Sequence, residues 1–599
     1  MNLKGIIQNN FKYFFFFFTY LRFKIFVLIL LSLLVGLLDG FGLALFIPLF
    51  QVAVDDSASQ ANPEIGQMDF LLDFMNSIGF IPSIGNILLF MTFLFITKGI
   101  FKFCDSYYKV SLQIYFVKKL RFQMLRGLEN VSYQNFVGMD AGRIQNTLSA
   151  EVYKVTASFI SYFNTLQYAV LLVVYMGLAF FSNWQFAILV SIGGFISNLF
   201  FKMLFRRTEA ASISISSKGH HFQSFLIQAV QHFKYLKATS YFKKYKQKLI
   251  NQIDEIENLQ KKIGLYNSLL NGLREPIVLV IVILVIMIQV NFLGGALASI
   301  LLSLMFFYRA LNYVISVQSS WQTFISQFGG IVSSTEIIDL FQKGEEEIKG
   351  KSDFGKLDSI ILTDVVFGFK DSSEILSNID LTINKNQTIA FVGPSGSGKT
   401  TLVNLIVGLF DQVGGEIQVN GLSRSTINML EFRSRVGYIT QEPVIFNDSI
   451  FNNVTFWAPK TPENLAQFWE AIEMANLVDF VYDLPEREGM ILGDNGVKAS
   501  GGQKQRISIA RELYKEVEII VFDEATSALD SDSEKIIQEN INSLQGKYTI
   551  ILIAHRLSTI KNVDKIYLID KGRIKSSGDF EQLFSSDVNF RRMVQLQEF

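Results

Sequence analysis

Six long apolar runs before about Ser333 constrain the fold of this chain more than any other feature. They lie near Phe26–Val52, Ile87–Phe103, Phe159–Phe181, Trp184–Phe205, Leu270–Val290 and Ala296–Val317, each close to the roughly 20 apolar residues a helix needs to cross the bilayer. Inside hydrocarbon every backbone N–H and C=O must be bonded within its own segment, so the runs predict helices. Lys98 interrupts the second run. Composition agrees, since the 599 residues are 50% hydrophobic and include 57 Phe, which is greasy for a soluble protein. Beyond Lys349 the chain reads as soluble α/β sequence. The expected fold is therefore an α-helical six-span transmembrane domain over 1–334, with long cytoplasmic helical extensions. A polar linker follows over 335–352, then an α/β P-loop NTPase domain over 353–599.

Lys and Arg placement orients the spans. The N-terminal arm carries Lys4, Lys12, Arg22 and Lys24, and no Lys or Arg occurs from Ile25 to Thr97. The loop inside that stretch holds Asp55, Asp56, Glu64, Asp69 and Asp73, so it is expected outside. Two basic connections are expected in the cytoplasm with both termini. One holds Lys102, Lys109, Lys118, Lys119, Arg121 and Arg126, the other Arg206, Arg207, Lys243, Lys244, Lys246 and Lys248. Ser182-Asn183 and Asn291–Gly295 are short outer turns. The long connections are charged and mostly free of Pro, which favours helices that continue out of the membrane. The aromatic stretch Phe11–Phe18 is too short to span. It reads equally as an interfacial helix on the inner leaflet or as an extension of the first span. No cleavable signal peptide is expected.

Lys+Arg and Asp+Glu each total 54, and a balanced chain offers no field for nucleic acid, so none is expected as a partner. The lone Cys104 excludes an intrachain disulfide and a Cys-based zinc cluster. It reads as packing beside a membrane helix.

The chemistry lies in the second half. Thr388–Val392 is a buried-strand pattern that runs into Gly393-Pro394-Ser395-Gly396-Ser397-Gly398-Lys399-Thr400 and then a helical run from Thr401. This is a phosphate-binding loop in its strand–loop–helix setting. Its glycines let backbone N–H groups close on phosphate oxygens, with the helix N-terminus adding positive potential. Lys399 should reach the β- and γ-phosphates of ATP, and the Thr400 hydroxyl should ligate Mg2+. Farther on, the apolar Ile519–Phe522 ends in Asp523, placed to hold Mg2+, and Glu524, placed as general base on the attacking water. Between them Ser500-Gly501-Gly502-Gln503 opens another helix and offers further N–H groups to an anion.

The order of these motifs, with Gln441, Ser527-Ala528-Leu529-Asp530 and His555, resembles the ATPase domain of ABC transporters. With six spans ahead of it, the whole chain resembles an ABC exporter half-transporter. That resemblance implies a second half-transporter as partner, a homodimer here, with two ATPase domains closing head to tail over two ATP. Each phosphate loop would face the partner's Ser500–Gln503. It further implies that Gln441 senses the γ-phosphate beside Mg2+, that His555 contacts the γ-phosphate, that Asp530 sits at the seam and that Phe369 stacks on adenine. Short docking helices at the extension tips would match Phe136–Val152 and Phe222–Lys237. The sequence departs from the family at Ala499 (commonly Leu), Phe369 (Tyr) and Asp494 (Glu). None of these removes a catalytic group, so both sites of a homodimer are expected to hydrolyse ATP.

Charges inside spans usually face a cavity or a partner. Asp39, Lys98 and Arg309 are the candidates for a substrate cavity, with Arg309 read either as a head-group cation or, structurally, as a snorkelling cation or a partner for Asp39. Arg274 and Glu275 read as a boundary pair. The first span, with Asp39, Gly40, Gly42 and Pro48, is similar to exporters that flip lipid-linked oligosaccharides. The expected cargo is an amphipathic anionic lipid or lipid-linked saccharide, moved from the inner to the outer leaflet of a bacterial inner membrane. A peptide or multidrug exporter is the alternative, and an ATP-gated channel or regulator the alternative of another class.

Overall fold

The computed structural model describes residues 12–46, 49, 83–182, 184–292, 297–347, 350–369, 374–525, 531–554 and 559–597. It falls into two compact units, Met1–Val131 with Gly138–Glu345, and Ser132–Val137 with Glu346–Phe599. The expected outer loop 55–73, Asn183, the turn 293–295, Asp530 and His555 lie outside the described residues.

The helices through the first unit include α1 (Lys12–Leu21), α2 (Lys24–Ala44), α3 (Ile84–Asn130), α4 (Tyr133–Phe136, which belongs to the second unit), α5 (Val152–Ser182, continuing the shorter Ala141–Asn146 through a π-turn), α6 (Trp184–Gln231), α7 (Phe233–Ala238), α8 (Phe242–Phe292) and α9 (Leu297–Lys343). Among the described residues, Lys24–Ala44, Ile84–Asn130, Ala141–Phe180 and Phe242–Ile288 are long and apolar enough to cross a membrane. α3 has 47 residues and α8 has 51. At 1.5 Å per residue each exceeds roughly 70 Å, more than twice the ~30 Å hydrocarbon thickness, so these helices do run on beyond the membrane. The last helix also runs to Lys343, through the first half of the expected linker.

α1 is a separate helix and not an extension of the first span. The chain breaks at Arg22, whose φ of 50° is left-handed, and α2 starts afresh at Lys24. Phe17 and Leu21 are buried while Phe15 faces out. Phe17 packs among Phe116, Phe159, Tyr162 and Phe163, and the Tyr13 hydroxyl donates to Glu209 Oε1 at 3.0 Å. Edge-to-face ring contacts add to the burial of so much aromatic surface. Along α2, a Cβ on Gly40 would stand 2.4 Å from Leu178 Cδ1 of α5, so a small residue is what lets these two helices approach.

The second unit holds β1 (Ser359–Phe367), β2 (Leu376–Asn384), β3 (Thr388–Val392), α10 (Lys399–Ile406), β4 (Gly414–Val419), β5 (Leu422–Ser423), β6 (Val436–Ile439), α11 (Gly501–Tyr514), β7 (Ile519–Asp523), β8 (Thr549–Ile553), β9 (Lys565–Asp570) and β10 (Arg573–Gly578). An antiparallel sheet runs β2-β1-β4-β5, and a six-stranded sheet runs β10-β9-β3-β8-β7-β6. In the latter, β9, β3, β8, β7 and β6 are parallel. Strands covered on both faces need unbroken apolar sequence, and all five residues of β3 and of β8 are buried. Parallel strands deliver their carboxyl ends to one edge, where such sheets bind ligands.

Candidate nucleotide site and charge clusters

The loop after β3 leaves from that edge. Gly393 has a φ of 151°, and a Cβ there would lie 2.0 Å from the Ile569 carbonyl oxygen, so no side chain fits. The Lys399 ammonium donates to the Gly393 and Pro394 carbonyls, both at 2.9 Å. Burial pulls its pKa below the ordinary lysine range, against the opposing pull of Glu524 and Asp523. No side chain caps α10, which leaves its first N–H groups for an anion. Ser395, Gly396 and Thr400 are exposed with Pro394, and Thr401 is half-buried. Among the described residues the buried Ser397 hydroxyl has no hydrogen-bond partner, an orphan that calls for a ligand or water.

β7 ends at the same edge in Asp523 and Glu524. Glu524 has a φ of 50°, a backbone cost for a non-glycine residue that such sites often carry. Its Oε2 accepts from Gln441 Nε2 at 2.8 Å, so the second residue after β6 meets the first residue after β7. Burial raises the Asp523 pKa, partly offset by a hydrogen bond from Tyr438. The Tyr438 hydroxyl donates to Asp523 Oδ2 at 3.1 Å and lies 3.3 Å from Asn404 Oδ1 of α10. Burial and the neighbouring carboxylate push that hydroxyl upward, so it remains a donor. Tyr438 escaped sequence reasoning. The signal was its place on β6, two residues before Thr440 and three before Gln441.

The structure thus brings Lys399, Asp523, Glu524 and Gln441 together. It does not bring Ser500–Gln503 to them, and among the described residues no hydrogen bond joins the two segments. Ser500 instead caps α11 reciprocally, accepting from Gln503 N at 3.3 Å while Ser500 N donates to Gln503 Oε1 at 2.8 Å. Gly501 and Gly502 form the first turn. Such a capping box fixes the helix start. Phe369 lies edge-on to Phe367 and Phe410, at 5.3 and 5.6 Å between ring centroids. Phe410 in turn stacks on Tyr133 of α4 at 5.7 Å, and Asp411 N donates to Gln134 Oε1 at 3.3 Å. The docked segment is therefore Ser132–Val137, which starts ahead of the expected Phe136–Val152 because Ser132 caps a helix there by accepting from Asn135 N.

In the first unit Asp39 is paired with Lys98, and Tyr175 donates to its other oxygen at 2.6 Å. The expected alternative of an Asp39–Arg309 pair is thus overturned: Asp39 is buried between α3 and α5, whereas Arg309 is exposed. Among the described residues Arg309 has no hydrogen-bond or ion-pair partner. Arg274 and Glu275 are not a pair either, since Arg274 is buried and bonds Asn271 while Glu275 is exposed. Beyond the apolar part of α6, His220 Nδ1 sits 2.9 Å from Asn146 Nδ2, which also donates to Glu151 Oε1, and His220 Nε2 meets Ser333 Oγ at 3.1 Å. An amide nitrogen facing Nδ1 requires a neutral ring protonated at Nε2.

Two protein-family models match, "ABC transporter transmembrane region" over residues 25–312 and "ABC transporter" over residues 376–527. The heterocyst differentiation ATP-binding protein HepA of Nostoc sp. is 31% identical over 505 residues, 84% of this chain and 82% of the relative. An ATP-dependent lipid A-core flippase of Francisella tularensis is 36% identical over 266 residues, 44% of this chain and 43% of that one. Another, from Cupriavidus pinatubonensis, is 41% identical over 223 residues, 37% and 38% of the two chains. The chain thus spans less than half the length of these flippases. A solved bacterial Atm1-family ABC exporter with ATP bound shares the fold, with a TM-score of 0.77 at 20% identity over 97% of this chain and 99% of that one.

Proposed function

The chain belongs to the ABC transporter family, with the exporter fold and an ATPase unit that binds ATP and couples its hydrolysis to transport, and on that premise we propose a mechanism and a cargo. The observation that carries the mechanism is the meeting of Lys399, Asp523, Glu524 and Gln441 at one sheet edge. Lys399 exchanges its two loop carbonyls for β- and γ-phosphate oxygens, and the uncapped start of α10 with Ser397 takes the rest. Phe369 stacks on the base. Glu524, oriented by Gln441, accepts the proton of the water that attacks the γ-phosphate, and His555 contacts that phosphate. Thr400, Gln441 and Asp523 form an all-oxygen donor set that fits Mg2+, which when bound offsets phosphate charge.

The second half of each site comes from a second copy. Ser500–Gln503 form a capped helix start that, among the described residues, no hydrogen bond joins to the Lys399–Glu524 cluster, so the partner's phosphate loop is its counterpart, with Asp530 at the seam. A homodimer then has two working sites. Lys/Arg placement puts both termini and the helical extensions in the cytoplasm of a bacterial inner membrane, multi-pass.

The cargo we infer is an amphipathic anionic lipid or lipid-linked saccharide, moved to the outer leaflet by alternating access. Lipid A-core flippases among the relatives support a lipid. Lys98 is neutralised by Asp39, so the head-group cation is Arg309, whose guanidinium offers a planar fork to phosphate. Reconstituted protein should show ATPase stimulation and flipping with anionic lipid. Arg309→Ala should lose both, and Arg309→Lys should recover them in part. Normal flipping by Arg309→Ala refutes the head-group role, and a peptide or drug that stimulates where anionic lipid does not would favour the other cargo classes.

A further inference from the structure

Arg274 sits near the start of the apolar part of α8, 3% exposed. A guanidinium at that depth needs a counter-charge, yet among the described residues no carboxylate pairs with it. One N–H is used, Nη1 donating to Asn271 Oδ1 at 3.2 Å, while Nε is buried with no partner. Two further orphans stand close by in the fold. Gln318 and Gln322 of α9 are buried, and among the described residues the Oε1 atom of each lacks a partner.

The helices place these groups in one cluster. Gln322 Nε2 donates to Asn267 Oδ1 of α8 at 2.7 Å and to Thr208 Oγ1 of α6 at 2.9 Å. The 267–322 pair is centred on the connection between α8 and α9, so the two helices run antiparallel there. One turn further along each, Asn271 stands level with Gln318, and Arg274 follows within the next turn. Asn271, which accepts from Arg274, is itself exposed. The unmet groups are a charged donor and two carboxamide acceptors. The ligand that answers them presents an anionic oxygen to the guanidinium and hydroxyl groups to the glutamines.

We propose that Arg274, with Gln318, Gln322 and Asn271, is a binding subsite for the phosphate-and-hydroxyl head group of an amphipathic lipid, separate from Arg309. It rests on the reading that the cargo is an anionic lipid and adds a second place, apart from Arg309, where the head group is held. Buried orphans of this kind are rare in native proteins and mark a missing partner. Among the described residues no hydrogen bond joins Arg274 to Gln318, so each still has an atom to offer a ligand.

The test uses the full-length protein in nanodiscs of phosphatidylcholine with increasing phosphatidylglycerol, whose head group carries a phosphate and two hydroxyls. ATPase stimulation is read for wild type, Arg274→Met, Arg274→Lys and Gln318→Leu, with soluble glycerol 3-phosphate as competitor. The phosphatidylglycerol content for half-maximal stimulation should rise roughly tenfold in Arg274→Met, as loss of a charged hydrogen bond predicts. It should rise less in Gln318→Leu and less still in Arg274→Lys, with melting midpoints near wild type in the volume-matched Gln318→Leu. An unchanged requirement in Arg274→Met and Gln318→Leu overturns the subsite, as does an equal loss of unstimulated activity in pure phosphatidylcholine. Saturation by glycerol 3-phosphate with no response to the lipid assigns the site to free phosphates and overturns the lipid source. If wild type itself ignores phosphatidylglycerol, the cargo reading fails. If Arg309→Ala loses the response while Arg274→Met keeps it, the subsite alone fails.

Discussion

Each unit of this protein buries a cation that, among the described residues, no carboxylate bonds directly, Lys399 in the ATPase unit and Arg274 in the membrane unit. Lys399 is held by two carbonyls of its own loop, with Asp523 and Glu524 near enough to act on its charge. Arg274 has one carboxamide and an orphaned Nε. Both await an anion, and the difference lies in how the site is assembled. The loop around Lys399 is contiguous, so its ligand can be named from the chain. The groups around Arg274 come from three helices, with Thr208 and Gln322 over a hundred positions apart, so no linear pattern announces them.

The largest effect is expected at Glu524. Glu524→Gln should lower ATP turnover by on the order of 10²-fold or more while ATP binding persists, because the base acts on water and not on nucleotide anchorage. Turnover near wild type, measured by phosphate release, would assign the base elsewhere. Next, Lys399→Ala should weaken ATP affinity by roughly tenfold or more, whereas Arg274→Met should leave it alone. Parallel nucleotide titrations that show equal losses would erase the distinction between the two cations.

A satisfied membrane charge should behave differently from an orphan. Asp39→Asn strands Lys98 and removes the carboxylate that accepts from Tyr175, and should cost about 2–3 kcal/mol, below the usual range for a buried pair because Lys98 is partly exposed. Adding Lys98→Met should recover most of the lost melting midpoint. A double variant no better than Asp39→Asn would mean the pair is not what stabilises the contact.

The smallest effect is expected at His220. Burial holds its imidazole below the ordinary range, with Glu151 opposing, Arg143 and Lys154 reinforcing and Asp140 opposing. Its folded pKa lies below the unfolded value of about 6.5. The neutral ring's contribution is therefore complete above that pH and is lost as pH falls below it. Between about pH 7.5 and about pH 5.5 the melting midpoint should fall more in wild type than in His220→Gln; equal falls would show that other groups govern the acid response.

Much of the second unit was legible because its chemistry is carried by local strings that follow buried strands. The phosphate loop, Asp523, Glu524 and Gln441 all leave the same sheet edge, as alternating strand and helix patterns imply. Tyr438 was not legible, since a tyrosine in a strand has no pattern tying it to a carboxylate that lies 85 residues away. In the first unit the long helices followed from apolar length, but helix facing did not. Asp39 met Lys98 and Tyr175 and not Arg309 because partner choice depends on how α2, α3 and α5 rotate against one another. Gly40, where a Cβ would strike Leu178, is what sets that approach. Likewise Ser132 and Asp140 both precede helix starts near the docking segment, and sequence alone gave no ground for choosing the first.

The central claim is that ATP hydrolysis drives an anionic lipid across the bilayer, and the most direct measurement follows fluorescent phosphatidylglycerol in proteoliposomes whose ATPase units face the bath. Quenching from the bath should show the labelled lipid becoming protected with time, only with ATP and Mg2+, and not in Glu524→Gln or with labelled phosphatidylcholine. Protection that proceeds without ATP, that is equal for both lipids, or that is replaced by sustained ion conductance would contradict the account.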